Sequence, residues 1–311
     1  MAPDSGNMRD RIFSPACSFR ALSNTLMLGG LVLSAMAEGK GVGYVVAVSE
    51  ATAVDVAWRP VVAALMEKYP GSVEKVYPAG EPAALGGDLS ALHPGWVCFV
   101  AKPEEVTRAF VSSVHQLMRG LDEDPYTDAR WGIMTGHDAV NALEIARTRD
   151  PLEIARVAAG TEVALERCRE GLWYCELTPK RRVEKKAGSE AVQGEGPLDT
   201  TKALVETLND YKAQLFVTSG HATERDWQIG FRYRNGSFRS EDGKLFGVDT
   251  KGERFPVASP EPKVYLPIGN CLMGHIDGKD AMALAWMKSA GVRQMLGYTV
   301  PTWYGYAGWG C

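Results

Sequence analysis

The sequence predicts an α/β protein in which a mainly parallel sheet is covered by helices. Short apolar runs rich in β-forming residues recur along the chain, and segments with helical periodicity separate them. Strands that alternate with helices favour parallel pairing, because each helix returns the chain to the starting edge of the sheet. The 311 residues, 45% of them hydrophobic, are enough for one large or two medium domains with a core.

The first elements predict a smaller α/β subdomain over residues 38–120. The run "GYVVAVSE" from Gly43 is a strand candidate, and a helical pattern follows it from Ala53 to Tyr69. "SVEKVYPA" and "WVCFVA" are two further strand candidates. "PEEVTRAFVSSVHQLMRGL" predicts an amphipathic helix with Pro103 in its first turn and Gly120 at its end. The acidic, turn-rich stretch "LDEDPYTDARWGIMTG" then breaks the pattern and predicts a subdomain boundary.

The remaining elements predict a second, larger set of strands and helices. Helical patterns occur in "HDAVNALEIAR", "LDTTKALVETLNDYK" and "KDAMALAWMKSA", and apolar strands in "AQLFVTSGH", "KVYLPIGN" and "GVRQMLGYTV". Three turn signals, "RNGS", "EDGK" and "TKGE", predict β-hairpins between the first two of these strands. The charged segment from Pro179 to Pro197 is predicted as a solvated loop, with a processing site as the alternative.

The first 37 residues have the pattern of a cleavable export signal. Arg9, Arg11 and Arg20 precede the apolar run "ALSNTLMLGGLVLSAMA", which closes on an A-x-A pattern at Ala37. We expect cleavage to leave Glu38 first and the protein to be secreted or periplasmic, with no membrane association afterwards. An uncleaved anchor is the alternative, but the run is shorter than the roughly 20 residues that span a bilayer.

Charge and cysteine content narrow the class of function. A formal charge of -4 and a pI near 5.8 provide no basic field for a nucleic-acid backbone, so we exclude nucleic-acid binding. One cysteine falls inside the signal, which leaves an odd number, and an odd number in an oxidising compartment leaves one thiol unpaired. These remaining cysteines are Cys98, Cys168, Cys175, Cys271 and Cys311. Cys168 and Cys175 are close enough in sequence to pair, although sequence does not establish the pair.

Two predicted strands end in residues that can carry chemistry. "AQLFVTSGH" ends in His221, and "KVYLPIGN" is followed directly by Cys271. Residues just beyond the carboxyl ends of parallel strands line the crevice where ligands bind, so neighbouring strands would bring the two side chains together. An imidazole can accept the proton of a thiol whose ordinary pKa is about 8.5, which produces a nucleophile for acyl transfer. The backbone N–H groups of Ala222 and Cys271 are candidates for stabilising the oxyanion.

Each of these residues also has a simpler interpretation. Cys271 alone would be a buried thiol, because cysteine is among the most buried residue types. His275, four residues later, would make it half of a local pair or a metal ligand, although the two do not form the paired clusters typical of structural zinc. His221 alone would be a turn residue bonded to backbone. The chain has no G-x-S-x-G, phosphate-loop or H-E-x-x-H motif.

The same segments resemble the gingipain-type cysteine peptidases, a family in the clan that also contains caspases and legumains. "LFVTSGHATERDW" resembles the family's histidine block and "YLPIGNCLMG" its cysteine block. "GVRQMLGYTVPTWYGYAGWG" is similar to the segment that forms one wall of the substrate pocket, and "DPYTDARWG" to the acidic stretch that starts the catalytic subdomain. The resemblance implies a caspase-like three-layer α/β fold with a mainly parallel sheet over residues 121–311, preceded by the smaller α/β subdomain.

The resemblance also implies an activity and its residues. It implies a secreted cysteine endopeptidase that acts on protein or peptide substrates, with Cys271 as nucleophile and His221 as general acid and base. A thioester acyl-enzyme would form and be hydrolysed without a cofactor or catalytic metal. Trp303 and Tyr304 would flank the specificity pocket, and Asp128 would receive a basic substrate side chain. Calcium helps to structure some members of the family, but no ligand cluster in this sequence requires it.

The sequence departs from the family pattern at several positions. Ala222 replaces the usual glycine after the histidine, and Gly132-Ile133 stands where Gly-Arg is common. Lysine-cleaving members carry an acid two residues after the pocket-wall glycine, whereas Ala307 occupies that position here. The sequence stops at Cys311 inside the pocket-wall segment, so we expect a catalytic subdomain that is incomplete at its C-terminus.

Two other functions fit the same residues. One is a catalytically inactive module that keeps the peptidase fold and serves in binding or secretion. The other is a thiol-dependent transferase or amidase, since an acyl-enzyme can pass its acyl group to acceptors other than water.

Overall fold

A computed structural model describes residues 42–302 of the chain. The strands of this range are β1 (Tyr44–Ser49), β2 (Val73–Tyr77), β3 (Trp96–Val100), β4 (Arg130–Met134), β5 (Arg156–Ala159), β6 (Glu170–Tyr174), β7 (Arg181–Lys185), β8 (Val192–Glu195), β9 (Leu215–Thr218), β10 (Asp226–Gln228), β11 (Ser237–Glu241), β12 (Lys244–Val248), β13 (Arg254–Pro256), β14 (Lys263–Pro267) and β15 (Val292–Met295). Its α-helices are α1 (Glu50–Ala53), α2 (Arg59–Lys68), α3 (Gly86–Leu92), α4 (Arg108–Leu117), α5 (Ala139–Ala146), α6 (Thr201–Asp210) and α7 (Met282–Ser289).

Some predicted features lie outside this range. The export signal over residues 1–37, its cleavage site, and the pocket residues Trp303 and Tyr304 all fall there. Over residues 42–302, none of the helices combines the length and the apolar character that crossing a bilayer requires.

The first sheet is parallel and has the strand order β2-β1-β3-β4. Successive side chains of a strand point to opposite faces, and both faces here are apolar. Val45 and Ala47 of β1 pack with α3 and α4 on one face, whereas Val46 and Val48 pack with α2 and α5 on the other. Helices on both faces bury both sides of the sheet.

The helices of this part begin where polar side chains cap them. The side chain of Thr107 accepts a hydrogen bond from the N–H of Phe110 at the start of α4, and Asp138 accepts one from Asn141 at the start of α5. Such caps satisfy N–H groups that have no partner within the helix and stabilise it by about 1 kcal/mol.

The second sheet has seven strands in the order β15-β14-β9-β5-β6-β7-β8. The strands from β15 to β6 pair in parallel, and β7 and β8 add an antiparallel hairpin at one edge. One face of this sheet shares a core with α6 and α7. The predicted α/β fold with mainly parallel sheets is confirmed.

The third sheet is antiparallel, with the order β10-β11-β12-β13. Its central turn joins β11 to β12 through Asp242 and Gly243, whose φ angles are 45° and 72°. Two positive φ values define the type I′ turn that Asp-Gly favours in tight hairpins, so the hairpin predicted from "EDGK" is confirmed.

The structure differs from the sequence prediction at several elements. The segment Pro179–Pro197, predicted as a solvated loop, contains the β7–β8 hairpin, so that prediction is wrong. Strands β4, β5 and β6 and helix α3 have no counterpart among the predicted elements. The first sheet continues past residue 121, because β4 pairs with β3. The domain boundary between residues 120 and 121 stays a prediction.

Candidate active site

The carboxyl ends of β9 and β14 lie side by side. The two strands pair in parallel, with Phe216 opposite Tyr265 and Thr218 opposite Pro267. The chain therefore leaves the same edge of the sheet twice, once toward His221 and once toward Cys271. The adjacency that sequence reasoning could only assume is present in the structure.

His221 lies on the surface just beyond β9. Its ring packs against Phe231, with 5.0 Å between ring centroids and 31° between ring planes. Its carbonyl accepts a hydrogen bond of 2.9 Å from the N–H of Gln228, which holds the backbone of the loop after β9. Among residues 42–302, no hydrogen bond joins the His221 ring to the sulfur of Cys271.

Cys271 is a partly exposed free thiol. Its Sγ lies 3.4 Å from the carbonyl oxygen of Thr302 and 3.3 Å from the N–H nitrogen of the same residue. The loop that carries the thiol is bonded to the segment 298–302, through Leu272 N–H to Val300 at 3.4 Å and Gly274 N–H to Tyr298 at 2.9 Å. Part of the segment predicted to wall the pocket thus runs beside the cysteine.

Two backbone N–H groups in the loops that carry His221 and Cys271 are available to a ligand. Those of Ala222 and Cys271 donate no hydrogen bond to any other group between residues 42 and 302. Ala222 forms an isolated antiparallel bridge with Trp227, and the two bonds of that bridge use the N–H groups of Thr223 and Gln228 instead. Donors without partners are what an oxyanion requires.

His275 does not pair with Cys271. Its N–H donates to Leu272 at 2.9 Å, and its buried Nδ1 has no hydrogen-bond partner among the described residues. Within residues 42–302, neither His275 nor Cys271 belongs to a group of three or more metal-ligand side chains. The local pair and the metal site, both considered from the sequence, have no support in these contacts.

Asn270 is a functional candidate that sequence reasoning missed. Its side chain is fully buried, accepts a hydrogen bond of 2.7 Å from Thr218, and donates one of 2.9 Å to the carbonyl of Gly220. It therefore joins the end of β14 to the end of β9. The only signal in the sequence was its position before Cys271, where asparagine also has a simple interpretation as a turn residue.

Glu176 is a second residue that the sequence analysis missed. It lies two residues beyond β6 and is 3% exposed. Its carboxylate accepts hydrogen bonds from Thr161, at 2.7 Å, and from Ser219, two residues before His221. The run "GLWYCE" that ends in this carboxylate would have been the signal, had it been recognised as a strand.

A second contact joins the two loops at the protein surface. The Arg225 guanidinium binds the Asp277 carboxylate in a bidentate manner, at 2.5 and 2.8 Å. Arg225 follows His221 by four residues and Asp277 follows Cys271 by six. Both side chains are about one-third exposed, and an ion pair of this kind stabilises a protein by about 0–1 kcal/mol.

Asp128 lies in a turn before β4. Its carboxylate accepts the N–H of Leu121 at 3.1 Å, and its own N–H donates to Met118. Its carboxylate, with those of Asp122 and Asp124, forms a group within 4.8 Å that the sequence did not reveal. Hydrogen bonds to N–H groups of the same turn account for this proximity. The role of Asp128 in a substrate pocket stays a prediction.

The other thiols of residues 42–302 differ from Cys271 in environment. Cys98 is 8% exposed, and burial raises the pKa of its thiol to about 11. Cys175 is buried beside Glu162, with 3.2 Å between Sγ and the carboxylate. Cys168 is partly exposed, and it forms no disulfide with Cys175 in the structure. A cleft of about 530 Å³ on the antiparallel sheet is lined in part by Arg225, but neither His221 nor Cys271 lines it.

Comparison with known proteins finds a similarity in structure but none in sequence. No family model and no curated protein matches the sequence. Among solved structures, the Arg-specific cysteine proteinase gingipain R is similar to the chain with a TM-score of 0.49 and 9% sequence identity. The similarity covers 86% of this chain and 65% of the gingipain chain, which is less than two thirds of its length.

Proposed function

We propose that the protein is an exported cysteine endopeptidase that hydrolyses peptide bonds through Cys271 and His221. One observation carries the proposal: β9 and β14 are adjacent parallel strands, and the two residues follow their carboxyl ends. This edge of a parallel sheet is where α/β proteins bind ligands. Export rests on the N-terminal sequence pattern. N-terminal sequencing of the secreted protein tests it, and we expect the mature chain to begin at Glu38.

The reaction uses one thiol and one imidazole. The Cys271 sulfur attacks the substrate carbonyl carbon while its proton passes to His221, and the oxyanion forms beside the N–H groups of Ala222 and Cys271. His221 then gives the proton to the leaving amine, and a thioester remains. Water attacks the thioester with His221 as base, which releases the acid and restores the thiol.

The proposal requires both side chains to exchange their present contacts for each other. In the structure His221 packs against Phe231, and the Cys271 thiol bonds to Thr302. Catalytic hydrogen bonds are often long or misaligned without substrate and tighten when it binds. His221 is exposed, and the proposal requires its ring to leave Phe231 and approach the sulfur when substrate binds.

Two substitutions test the assignment. We expect Cys271→Ala and His221→Ala each to lower kcat/KM on a peptide library by at least about 1,000-fold, because each removes a group that forms or breaks bonds. Cys168→Ala is the matched control, since it removes another partly exposed thiol. Unchanged cleavage by Cys271→Ala would remove the thiol from the mechanism. Mass analysis of the products separates hydrolysis from acyl transfer.

A catalytically inactive binding module is the second candidate. The absence of a hydrogen bond between His221 and Cys271 within the described residues favours it. Alkylation of Cys271, followed by peptide mass spectrometry over a pH series, separates the two candidates. A thiol paired with histidine reacts well below the ordinary thiol pKa of about 8.5, and an unpaired one reacts only near it.

A further inference from the structure

A chain of buried polar side chains crosses from β14 to β9 beneath the candidate site. The Tyr265 hydroxyl lies 2.9 Å from the Thr218 hydroxyl, which donates to Asn270 at 2.7 Å. The Asn270 amide in turn donates to the carbonyl of Gly220 at 2.9 Å. The side chains of Tyr265, Thr218 and Asn270 are fully buried, with 0% exposure.

The direction of each bond follows from chemistry. Threonine has one hydroxyl proton and gives it to Asn270, so Tyr265 donates to Thr218. Burial raises the pKa of Tyr265, which keeps its hydroxyl protonated and able to donate. The amide oxygen of Asn270 then accepts and its nitrogen donates. An isosteric carboxylate in its place would present an acceptor to the Gly220 carbonyl, which is also an acceptor.

The last bond lies between the neighbours of the two reactive residues. Asn270 directly precedes Cys271, and Gly220 directly precedes His221. Gly220 has a φ of 94°, a conformation that glycine adopts without strain. Because glycine is flexible, hydrogen bonds such as the one from Asn270 determine how its peptide group is oriented. On the far side, the indole N–H of Trp227 donates to the carbonyl of Ser219 at 2.8 Å. The backbone before His221 is thus held from two sides.

We propose that Asn270 is a positioning residue, whose amide holds the backbones of His221 and Cys271 at the separation that the reaction needs. The inference rests on the proposed function. Displacements of about 1 Å at a reacting pair cost on the order of 100-fold in rate, and a buried amide with two bonds of normal length resists such a displacement. The Arg225–Asp277 pair links the same loops but is partly exposed and contributes less.

The test combines kinetics with thiol reactivity. We expect Asn270→Ala and Asn270→Asp to lower kcat roughly 10- to 100-fold with little change in KM. We also expect the pH profile of Cys271 alkylation by iodoacetamide to shift toward that of Cys168 in the same molecule. A purely structural role would lower the free energy of unfolding and leave kcat and this profile unchanged in the folded protein. Asp277→Asn is the control, with kcat within about twofold of wild type.

A second pair of variants keeps the test decisive if Asn270→Ala does not fold. Thr218→Val has nearly the same shape but cannot donate to Asn270, and Thr218→Ser can. We expect the valine variant to lose kcat and the serine variant to retain it. Wild-type kcat and alkylation profile in both Asn270→Asp and Thr218→Val would overturn the proposal.

The outcome also separates this inference from the proposed function. If wild-type protein cleaves peptides, Cys271→Ala does not, and the Asn270 variants match wild type, only the positioning role fails. If no cleavage depends on Cys271 and its alkylation profile equals that of Cys168, the proposed function fails and the positioning role fails with it.

Discussion

Gly274 and Gly297 bring the cysteine loop into backbone contact with the segment that follows β15. A Cβ built on Gly274 would overlap the Gly297 carbonyl, and a Cβ on Gly297 would lie 2.8 Å from the Gly274 nitrogen. The neighbouring bond from Gly274 N–H to Tyr298 depends on this approach. Two residues without side chains thus set the distance between the candidate nucleophile and the segment beside it.

Replacing Gly274 tests this contact at the scale of one residue. We expect Gly274→Ala to lower the free energy of unfolding by about 1–3 kcal/mol, because the new methyl group must push backbone aside. kcat/KM should fall as well, since the segment 298–302 moves relative to Cys271. Urea denaturation and peptide cleavage measure the two effects.

Gly278→Ala is the matched control in the same loop. The nearest atom to its added Cβ is Arg225 Nη2 at 4.0 Å, an ordinary contact. A Gly274→Ala variant as stable and as active as Gly278→Ala would show that the close approach has no consequence.

At the scale of the element, β14 begins with a buried lysine. Lys263 is 1% exposed, and its ammonium donates to Ser259 at 3.0 Å, to the Glu261 carbonyl at 2.6 Å, and to the Ala290 carbonyl. Burial lowers the pKa of Lys263 to about 8, an effect that the nearby Glu261 charge partly offsets. Lys263 thus holds the amino end of β14, and Cys271 follows the carboxyl end of the same strand.

The lowered pKa predicts a pH dependence of stability. Between pH 8 and 10.5 the unfolded chain keeps a proton that the folded chain has lost, so the free energy of unfolding rises with pH through this window. At about 1.4 kcal/mol per pKa unit, the rise is on the order of 3 kcal/mol. Lys263→Met should remove it. Urea denaturation below, within and above the window compares wild type with the variant.

Lys251→Met controls for the loss of one positive charge, because Lys251 is exposed. It should keep the wild-type pH dependence. If Lys263→Met also keeps it, the folded protein holds Lys263 with an ordinary pKa.

The hairpin β7–β8 has a charged composition that predicts a loop, although the segment forms two strands. Its composition resembles a solvated loop, and the strand β8 is exposed along its length. Charged side chains are common on edge strands, where they prevent pairing with other chains. Lys180, which directly precedes β7, forms an ion pair with Glu195 of β8 at 3.0 Å.

At the scale of the whole molecule, α7 joins the first sheet to the second. Ala283 and Leu284 pack in the core of the first sheet, whereas Met282, Ala285 and Trp286 pack in the core of the second. A helix that is apolar on all sides is buried, and this helix shares two cores. The two α/β parts are therefore expected to unfold together.

A buried histidine lies where the first sheet's helices meet the rest of the molecule. His137 is 5% exposed, its Nε2 lies 3.2 Å from Asp242 in the β11–β12 turn, and its Nδ1 lies 3.0 Å from Lys288 on α7. Because an ammonium only donates, Nδ1 is the acceptor and the Nε2 proton faces Asp242. Asp138 lies 3.4 Å from Nδ1, and Lys279 donates to the His137 carbonyl at 2.6 Å.

Removing this imidazole should weaken the whole molecule. We expect His137→Ala to lower the free energy of unfolding by about 1–3 kcal/mol, because it empties a buried position that the imidazole fills. Urea denaturation measures the change. His115→Ala, at an exposed position, should change stability by less than about 0.5 kcal/mol. Equal stability of the two variants would contradict a role for His137 in joining the parts.

Much of the architecture could be predicted from the sequence because its signals are local. Apolar periodicity located most helices and the strands that lead to His221 and Cys271, and Asp-Gly located the turn at residues 242 and 243. Prediction failed where the local signal was ambiguous. Short strands such as β5 and β6 show no distinctive hydrophobic periodicity, and the charged β7–β8 hairpin has the composition of a loop.

The sequence by itself determined the α/β class, most of the helices, and the fact that two strands end next to a histidine and a cysteine. Only the tertiary structure decided that β9 and β14 are neighbours, that Asn270 bridges their ends, and that the His221 ring packs against Phe231. The physical reason is range. Backbone periodicity reflects residues within a few positions of each other, whereas strand order and side-chain direction depend on packing between residues about fifty positions apart.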